Sequence, residues 1–379
     1  MKIVKKAYKF RIYPTLEQIS FFAKSFGCVR KVHNLMLDDR KKGYEEYKST
    51  GIKTKYPTPA KYKEEYPYLK EVDSLALANA QLNLEKAFKN FLRNKEFGFP
   101  KYKCKSNPVQ SYTTNNQDTI YIDKGYIKLP KLKSLVKIRL HREVKGIIKS
   151  VTVSRNSINH YFVSILCEEE IEELPKANKN IGIDLGIKDF AIMSDNTKVE
   201  NLKLTKKYED KLKREQRKMS RSIEYSKSNK IKLKECKNFN KKKLKVQRLF
   251  YRLNCIRDDY NNNKMVDEIT RAKLKYITIE DLKVSNMMKN KHLSKAIQEQ
   301  NFYAIRTKLI NKCKERNIEL RLVDTFYPSS KTCSCCGSIK KDLKLNDRIY
   351  KCNNCGLEID RDYNASINLE KAKIYKVIA

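Results

Sequence analysis

The chain has 379 residues, with 83 Lys and Arg against 44 Asp and Glu, a formal net charge of +39. Such an excess points to a polyanionic partner, because counterion release from phosphates rewards clustered Lys and Arg. With 34% charged residues, a mean hydropathy of −0.71 and no apolar run of the roughly 18 residues a span requires, a membrane protein is excluded.

The first eight residues carry no apolar stretch of a secretory signal, so a cytoplasmic location is expected. Residues 7–13 alternate apolar with basic or polar side chains, the period of a half-buried strand, and Pro14 closes it. Thr15 can cap a helix in which Leu16, Ile19, Phe22 and Phe26 recur every three to four residues. A second helix is predicted over about 74–94, with Leu75, Leu77, Leu82, Leu84, Ala87, Phe88 and Phe91. The helices are thus an insertion after the first strand. Five short segments follow, at 121–122, 126–129, 136–140, 151–153 and 161–165. They are rich in β-formers and include the turn Asp123-Lys124-Gly125. They predict a small antiparallel barrel that also takes in the first strand. Residues 175–180 suit a linker.

Residues 181–186 and 189–193 are predicted as two strands with a tight connection. Residues 201–260 are predicted as one long basic helical segment, with 21 Lys and Arg against 7 Asp and Glu. A helix over 265–274 leads into a strand over 276–280. Another helix covers about 295–316, with Phe302, Ile305, Leu309 and Cys313 on one face. A strand over 318–323, a cysteine-rich insert over 328–358 and a final helix beginning near Asp362 complete the pattern. Strands alternating with helices imply an α/β sheet.

Eleven cysteines, an odd number, in a chain expected in the cytoplasm do not suggest a disulfide framework. Cys28, Cys104, Cys167, Cys236, Cys255 and Cys313 are read as buried or reduced thiols. The four histidines share no ligand spacing. Cys333 with Cys336 and Cys352 with Cys355 are different. Each pair is C-x2-C, each is followed by Gly, and fifteen residues separate the pairs. Two thiolates so spaced reach one tetrahedral Zn²⁺ from a single turn, and the glycines suit the positive φ such a turn requires. A closed four-thiolate site has no open position, so the zinc would be structural. Cys335 is out of register.

Three acids occupy sheet-like positions. Asp184 lies between two glycines in an apolar strand, Glu280 ends another, and Asp362 opens the last helix. A carboxylate in an apolar strand is costly unless it meets a cation. Three converging at strand ends would form a site for hard divalent ions, two Mg²⁺ suiting phosphodiester hydrolysis. Singly, each acid could be a surface group or helix cap, and it is their joint pattern that points to metal. Asp360 is expected to hold the loop, pairing with Arg361 or another base. The basic residues of 201–260 and Lys101, Lys103 and Lys105 are candidates for phosphate contacts.

In order along nearly the whole chain, these residues resemble the TnpB (OrfB) family of transposon-encoded RNA-guided DNA endonucleases, compact relatives of the type V CRISPR effectors. The opening Tyr8-Lys9-Phe10-Arg11-Ile12-Tyr13-Pro14-Thr15 and Gly98-Phe99-Pro100-Lys101-Tyr102-Lys103 resemble its N-terminal motifs. Gly182-Ile183-Asp184-Leu185-Gly186, Ile279-Glu280-Asp281-Leu282 and Asp360-Arg361-Asp362-Tyr363-Asn364-Ala365 resemble its three RuvC motifs. Residues 329–356 resemble its zinc ribbon.

The resemblance implies a multidomain α+β and α/β fold. An RNase H-like RuvC nuclease domain (180–327 and 359–379) would be split by a zinc ribbon (328–358). An N-terminal wedge barrel (1–14 and 105–175) would carry an inserted helical recognition lobe (15–104). It implies a guide RNA from the transposon end, a double-stranded DNA target read beside a short adjacent motif, and association with the nucleoid. Catalysis would fall to Asp184, Glu280 and Asp362, which would hold Mg²⁺. The chain departs from the family at Ala78, where relatives often carry Gln, and at 260–264, which lacks the His common in relatives. A nuclease-dead regulator, a guide-free transposase and a zinc-ribbon DNA-binding factor are the competing readings.

Overall fold

Alternation of side chains builds the first strand, β1 (Lys2–Tyr13), with Tyr8, Phe10 and Ile12 buried and Lys9 facing out. A computed structural model describes the chain except residues 1, 53–54, 173–174, 176–177, 272 and 345–346 and the side chains of 204, 205 and 264. It divides into two units, Met1–Ile171 and Glu172–Ala379.

In the first unit, Thr15 caps α1 (Leu16–Thr50) in a capping box with Gln18, and Gly51 ends it at φ 70°. The short α2 (Tyr62–Glu65) and the longer α3 (Ser74–Arg93) follow. Six strands complete the unit: β2 (Gln110–Asn115), β3 (Ile122–Asp123), β4 (Tyr126–Ile127), β5 (Val136–Arg139), β6 (Ile147–Arg155) and β7 (Tyr161–Ile171). The antiparallel order is β2-β6-β7-β1-β5-β4-β3, with β1 paired to β7 from Lys2↔Ile171 to Ile12↔Tyr161. Among the described residues no ladder joins β2 to β3, so the sheet is seven-stranded without a closing pair. Helices and sheet share one core. Phe22 lies 5.9 Å from the Tyr161 ring and 6.4 Å from Tyr112, and Leu77 and Leu84 join the same cluster.

The second unit opens with β8 (Lys179–Leu185), β9 (Asp189–Met193) and β10 (Lys198–Glu200). The expected linker at 175–180 therefore gives way to β8 from Lys179, and two of its residues lie outside those described. The basic segment is two helices, α4 (Leu204–Ser228) and α5 (Lys237–Tyr260), packed together across a turn in which Lys230 has φ 54°. A π-helical stretch at Asn261–Asp267 follows, overlapping the departure at 260–264. Helix α6 (Glu268–Arg271) ends before β11 (Leu274–Glu280), earlier than predicted, because residues 274–275 join the strand. The short α7 (Val284–Met287) precedes α8 (Ser294–Gln300) and α9 (Phe302–Arg316). The last two were predicted as one helix. Asn301 breaks it in the left-handed region at φ 54°, a conformation Asn tolerates.

Strand β12 (Glu319–Val323), the hairpin β13 (Ile349–Lys351) and β14 (Glu358–Asp360), helix α10 (Arg361–Glu370) and strand β15 (Lys376–Val377) complete the unit. The main sheet has the order β10-β9-β8-β11-β12-β15, with β8, β11 and β12 mutually parallel and the outer strands antiparallel. Ile183, Ile277, Ile279 and Leu320 form its core with Ile305, Leu309 and Cys313 of α9.

Candidate carboxylate and thiolate sites

Parallel pairing puts two of the predicted acids side by side. Ile183 of β8 is opposite Ile279 of β11. Extending that register by one residue sets Asp184 beside Glu280 on neighbouring strands, whose axes run about 4.8 Å apart. Both acids leave the apolar interior at the carboxyl ends of their strands and are half-buried.

Helix α10 brings the third. A Cβ built on Gly182 would lie 2.0 Å from the Ser366 carbonyl oxygen and 2.4 Å from the Glu370 nitrogen. Only a glycine lets the helix come so close. Asp362, Ser366 and Glu370 recur every four residues, so the face that touches β8 also carries Asp362. The electrostatics reflect this convergence. Burial, then the charges of Glu280 and Asp362, push the Asp184 carboxyl up to about 8. Burial also raises Glu280, against a hydrogen bond from Ser329 that lowers it.

Asp360 and Asp362 have different surroundings. The Asp360 carboxylate caps α10, accepting from the Asp362 and Tyr363 nitrogens at 3.0 Å each. It also pairs with Lys198 at 3.7 Å. Of the partners expected for Asp360, Arg361 or another base, the structure shows another base, Lys198, while Arg361 turns to Asp362. Its Nε and Nη2 donate to Asp362 Oδ1 at 3.0 and 2.8 Å, and Arg348 Nη1 lies 3.5 Å from Oδ2. Two guanidinium groups thus balance the Asp362 charge.

The four cysteines come together independently of the acids. The Sγ atoms of Cys333, Cys336, Cys352 and Cys355 all lie within 4.8 Å of one another. Cys333–Cys355 and Cys336–Cys352 are each 3.6 Å apart. Metal–sulfur bonds of about 2.3 Å in a tetrahedron place sulfurs about 3.8 Å apart, so this donor set fits one zinc-sized ion. The two turns are copies of each other. Gly337 N–H donates to Cys333 O and Gly356 N–H to Cys352 O, with φ of 75° and 72°. These are the positive angles expected of the two glycines. Hydrogen bonding with Ser338 pulls the Cys336 thiol down to about 5 and also lowers Cys352, whereas burial and hydrogen bonds with the other three cysteines push Cys355 up, so the thiolate form is favoured at the first two. Tyr350 is fully buried beneath them. Cys335 is exposed and outside the cluster.

The remaining expectations fall elsewhere. Cys28, Cys167, Cys236 and Cys313 are buried free thiols, while Cys104 and Cys255 are exposed. Most Lys and Arg side chains of α4 and α5 are exposed to solvent. Lys101 and Lys105 are exposed, whereas Lys103 is partly buried and its backbone is held by Asn34 through two hydrogen bonds. Among the described residues no helix is long and apolar enough to cross a membrane. Sequence reasoning gave no role to Ser329, Asn364 and Asn368, which link the cysteine-rich insert to α10 and Glu280. The last two stand four residues apart, the one local signal available.

Three family models match the chain: a Cas12f1-like TNB domain over 302–369, an OrfB transposase over 164–291 and a helix-turn-helix domain over 1–49. The described residues of the range 1–49 form no helix-turn-helix, because α1 runs unbroken after β1. A Streptomyces pristinaespiralis protein, provisionally named an RNA-guided DNA endonuclease, is 34% identical over 97% of this chain and 89% of its own. Escherichia coli InsQ, named in the same way, is 30% identical over 96% of this chain and 91% of its own. A solved Cas12f1–sgRNA–target DNA complex contains a chain of the same fold, with TM-score 0.58 and 14% identity, covering 99% of this chain and 100% of that one. Relatives this similar over nearly the full length, together with the OrfB and TNB matches, place the chain in the TnpB (OrfB) family.

Proposed function

We propose that the protein is a transposon-encoded RNA-guided DNA endonuclease that hydrolyses phosphodiesters of target DNA at one carboxylate site, beside a short adjacent motif. The convergence of Asp184, Glu280 and Asp362 carries this reading. Residues 180–327 and 359–379 would be the RuvC domain and 328–358 its zinc ribbon. Residues 1–14 and 105–175 would be the wedge, with 15–104 as recognition lobe. The net charge of +39 and the names of the relatives support a guide RNA and a DNA target as partners.

Asp184, Glu280 and Asp362 would hold two Mg²⁺, which when bound stabilise the attacking and leaving oxygens of a phosphodiester. Burial and the neighbouring acids raise the Asp184 carboxyl, which would favour its protonated form near neutral pH in the absence of a cation. Asp362 is paired with Arg361 and Arg348, so these guanidinium groups would compete with a bound cation for its carboxylate. One test is to sequence the RNA that co-purifies from the native host, then assay Mg²⁺-dependent cutting of DNA matching its guide portion. Cutting that needs the RNA is expected. Cutting without RNA would favour a guide-free transposase, and binding without cutting a regulator.

The thiolate site is expected to hold one structural Zn²⁺ per chain. Mass spectrometry should find it, and Cys352→Ser should lose it. The hairpin should then open locally, because metal binding in so small a module is largely folding free energy. Full zinc occupancy in Cys352→Ser would exclude Cys352 as a ligand.

The Asp184 shift fixes the sign of a pH effect. A carboxyl whose folded value is raised to about 8 binds its proton more tightly folded than unfolded. Its stabilising effect is complete below the ordinary carboxylate range and is lost as pH rises toward 8. Buried His33, lowered to about 4 by burial and Lys103, acts in the opposite direction, so the comparison is with Asp184→Asn. In metal-free protein the variant should melt above the wild type by a margin that widens from pH 5 to pH 8.5. Mg²⁺ should stabilise only the wild type, and more at high pH. Parallel melting curves across that range would show that Asp184 ionises normally.

A further inference from the structure

Two side chains of the cysteine-rich insert reach the carboxylate centre: Arg348, which pairs with Asp362, and Ser329 at the base of the insert. Ser329 is 5% exposed, and its hydroxyl donates to Glu280 Oε1. Its own backbone is held in turn. Asn368 Nδ2 donates to Ser329 O at 2.8 Å and to Thr332 O at 2.6 Å. Asn364 Nδ2 also donates to Thr332 O, at 2.7 Å, while Asn364 Oδ1 accepts from Ser334 N at 3.0 Å. Thr332 and Ser334 flank Cys333. The hydroxyl of Thr332 donates to Pro328 O at 2.8 Å and closes the turn that carries Ser329.

These bonds form one chain from the thiolate site to Glu280. Asn364 and Asn368 are 0% and 5% exposed. Both make side-chain hydrogen bonds to the insert, and a buried polar network with its members paired is rigid. The helix that carries them faces two ways. Residues advance about 100° each around a helix, so Asn364 lies about 200° from Asp362. The Asp362 side of α10 meets β8 at Gly182, and the Asn364 and Asn368 side grips the insert.

A glutamate at a strand end has several rotamers, and binding a cation requires one. A hydroxyl that donates to the carboxylate restricts that choice before the cation arrives. Partners that orient a ligand in this way are commonly worth about 10–100-fold in metal affinity or activity. We infer that Ser329 is a positioning residue for the carboxylate centre, and that the folded insert holds it in place through Asn364 and Asn368. The inference rests on the reading of Asp184, Glu280 and Asp362 as a divalent-metal centre.

The test uses full-length, zinc-loaded protein and Mn²⁺ as the probe. Binding is followed by isothermal titration, with Asp184→Ala as the blank. Ser329→Ala should keep its zinc and bind Mn²⁺ about tenfold more weakly. The Mg²⁺ concentration giving half-maximal cleavage should rise by a similar factor, and saturating Mg²⁺ should restore most of the rate. Ser329→Thr keeps the hydroxyl and should stay within about twofold of wild type. Asn368→Ala, with zinc retained, should weaken Mn²⁺ in the same direction. Wild-type Mn²⁺ affinity in Ser329→Ala would overturn the inference. So would equal losses of zinc and Mn²⁺ in Ser329→Ala and Ser329→Thr, because Ser329 would then serve only the fold of the insert. If the wild type binds no more Mn²⁺ than Asp184→Ala, the metal-centre reading itself fails, and the positioning role with it.

Discussion

Asp362→Ala is expected to abolish Mg²⁺-dependent cleavage, whereas Asp360→Ala should only slow it. The two acids flank Arg361, and composition alone does not separate them. Their surroundings separate them. Asp360 is consumed by the helix cap, accepting from two backbone nitrogens, so removing it should cost about 1 kcal/mol of stability. In a unit of this size that lowers the melting temperature by about 2–4 °C. Asp362 stands close enough to Asp184 to raise its carboxyl, on the helix face that meets β8. Losing the metal ligand proposed at Asp362 should exceed the roughly hundredfold upper range that outer partners contribute.

Asp362→Ala would also leave Arg361, at 15% side-chain exposure, without its carboxylate. Asp362→Asn, which keeps the shape, is therefore the companion variant and should be equally inactive. Both should retain zinc and bind nucleic acid nearly as wild type does, because the basic surface is untouched. A dead Asp360→Ala beside an active Asp362→Ala, both folded, would reverse the assignment.

What could be read from sequence was what depends on near neighbours. The four thiolates and their glycines sit in two short turns whose geometry is local, and the spacing alone defined the donor set. Strand period located Asp184 and Glu280. The capping power of Asp360 is also a local property, although the identity of its ion-pair partner is not. Arg361 could reach either flanking acid, and it turns to Asp362 because Asp360 is already occupied by the backbone of α10 and by Lys198. Helix breaks without Pro or Gly were missed. Nothing in the composition of 295–316 marks Asn301 as left-handed, and the turn between α4 and α5 lies in a stretch as basic as the helices it joins. Ser329 is 49 residues from Glu280 in sequence, and no periodicity relates the two. Their contact exists only once α10 holds the insert against the sheet.

Among the glycines of the second unit, Gly182→Ala should be the most destabilising substitution. The added carbon would sit 2.0 Å from Ser366 O, 2.4 Å from Glu370 N and 3.0 Å from Glu370 Cα. All three are helix backbone, so no side chain can rotate away, and α10 must lift from β8. Overpacking of this kind costs about 3 kcal/mol, equivalent to a fall of about 6–12 °C in melting temperature for a unit of this size. Cleavage should drop further than stability accounts for, because lifting α10 carries Asp362 away from Asp184 and Glu280. Raising Mg²⁺ should recover part of it. The contrast is Gly27 in α1, where the nearest atom to an added Cβ is the end of the Arg30 side chain at 4.0 Å. There the same substitution should stabilise by up to about 1 kcal/mol, because alanine orders more readily in a helix. Opposite signs from one chemical change would tie the effect to the crossing of α10 over β8. A Gly182→Ala protein with wild-type melting and cleavage would show that the helix can move without cost, and that the carboxylates do not depend on this contact.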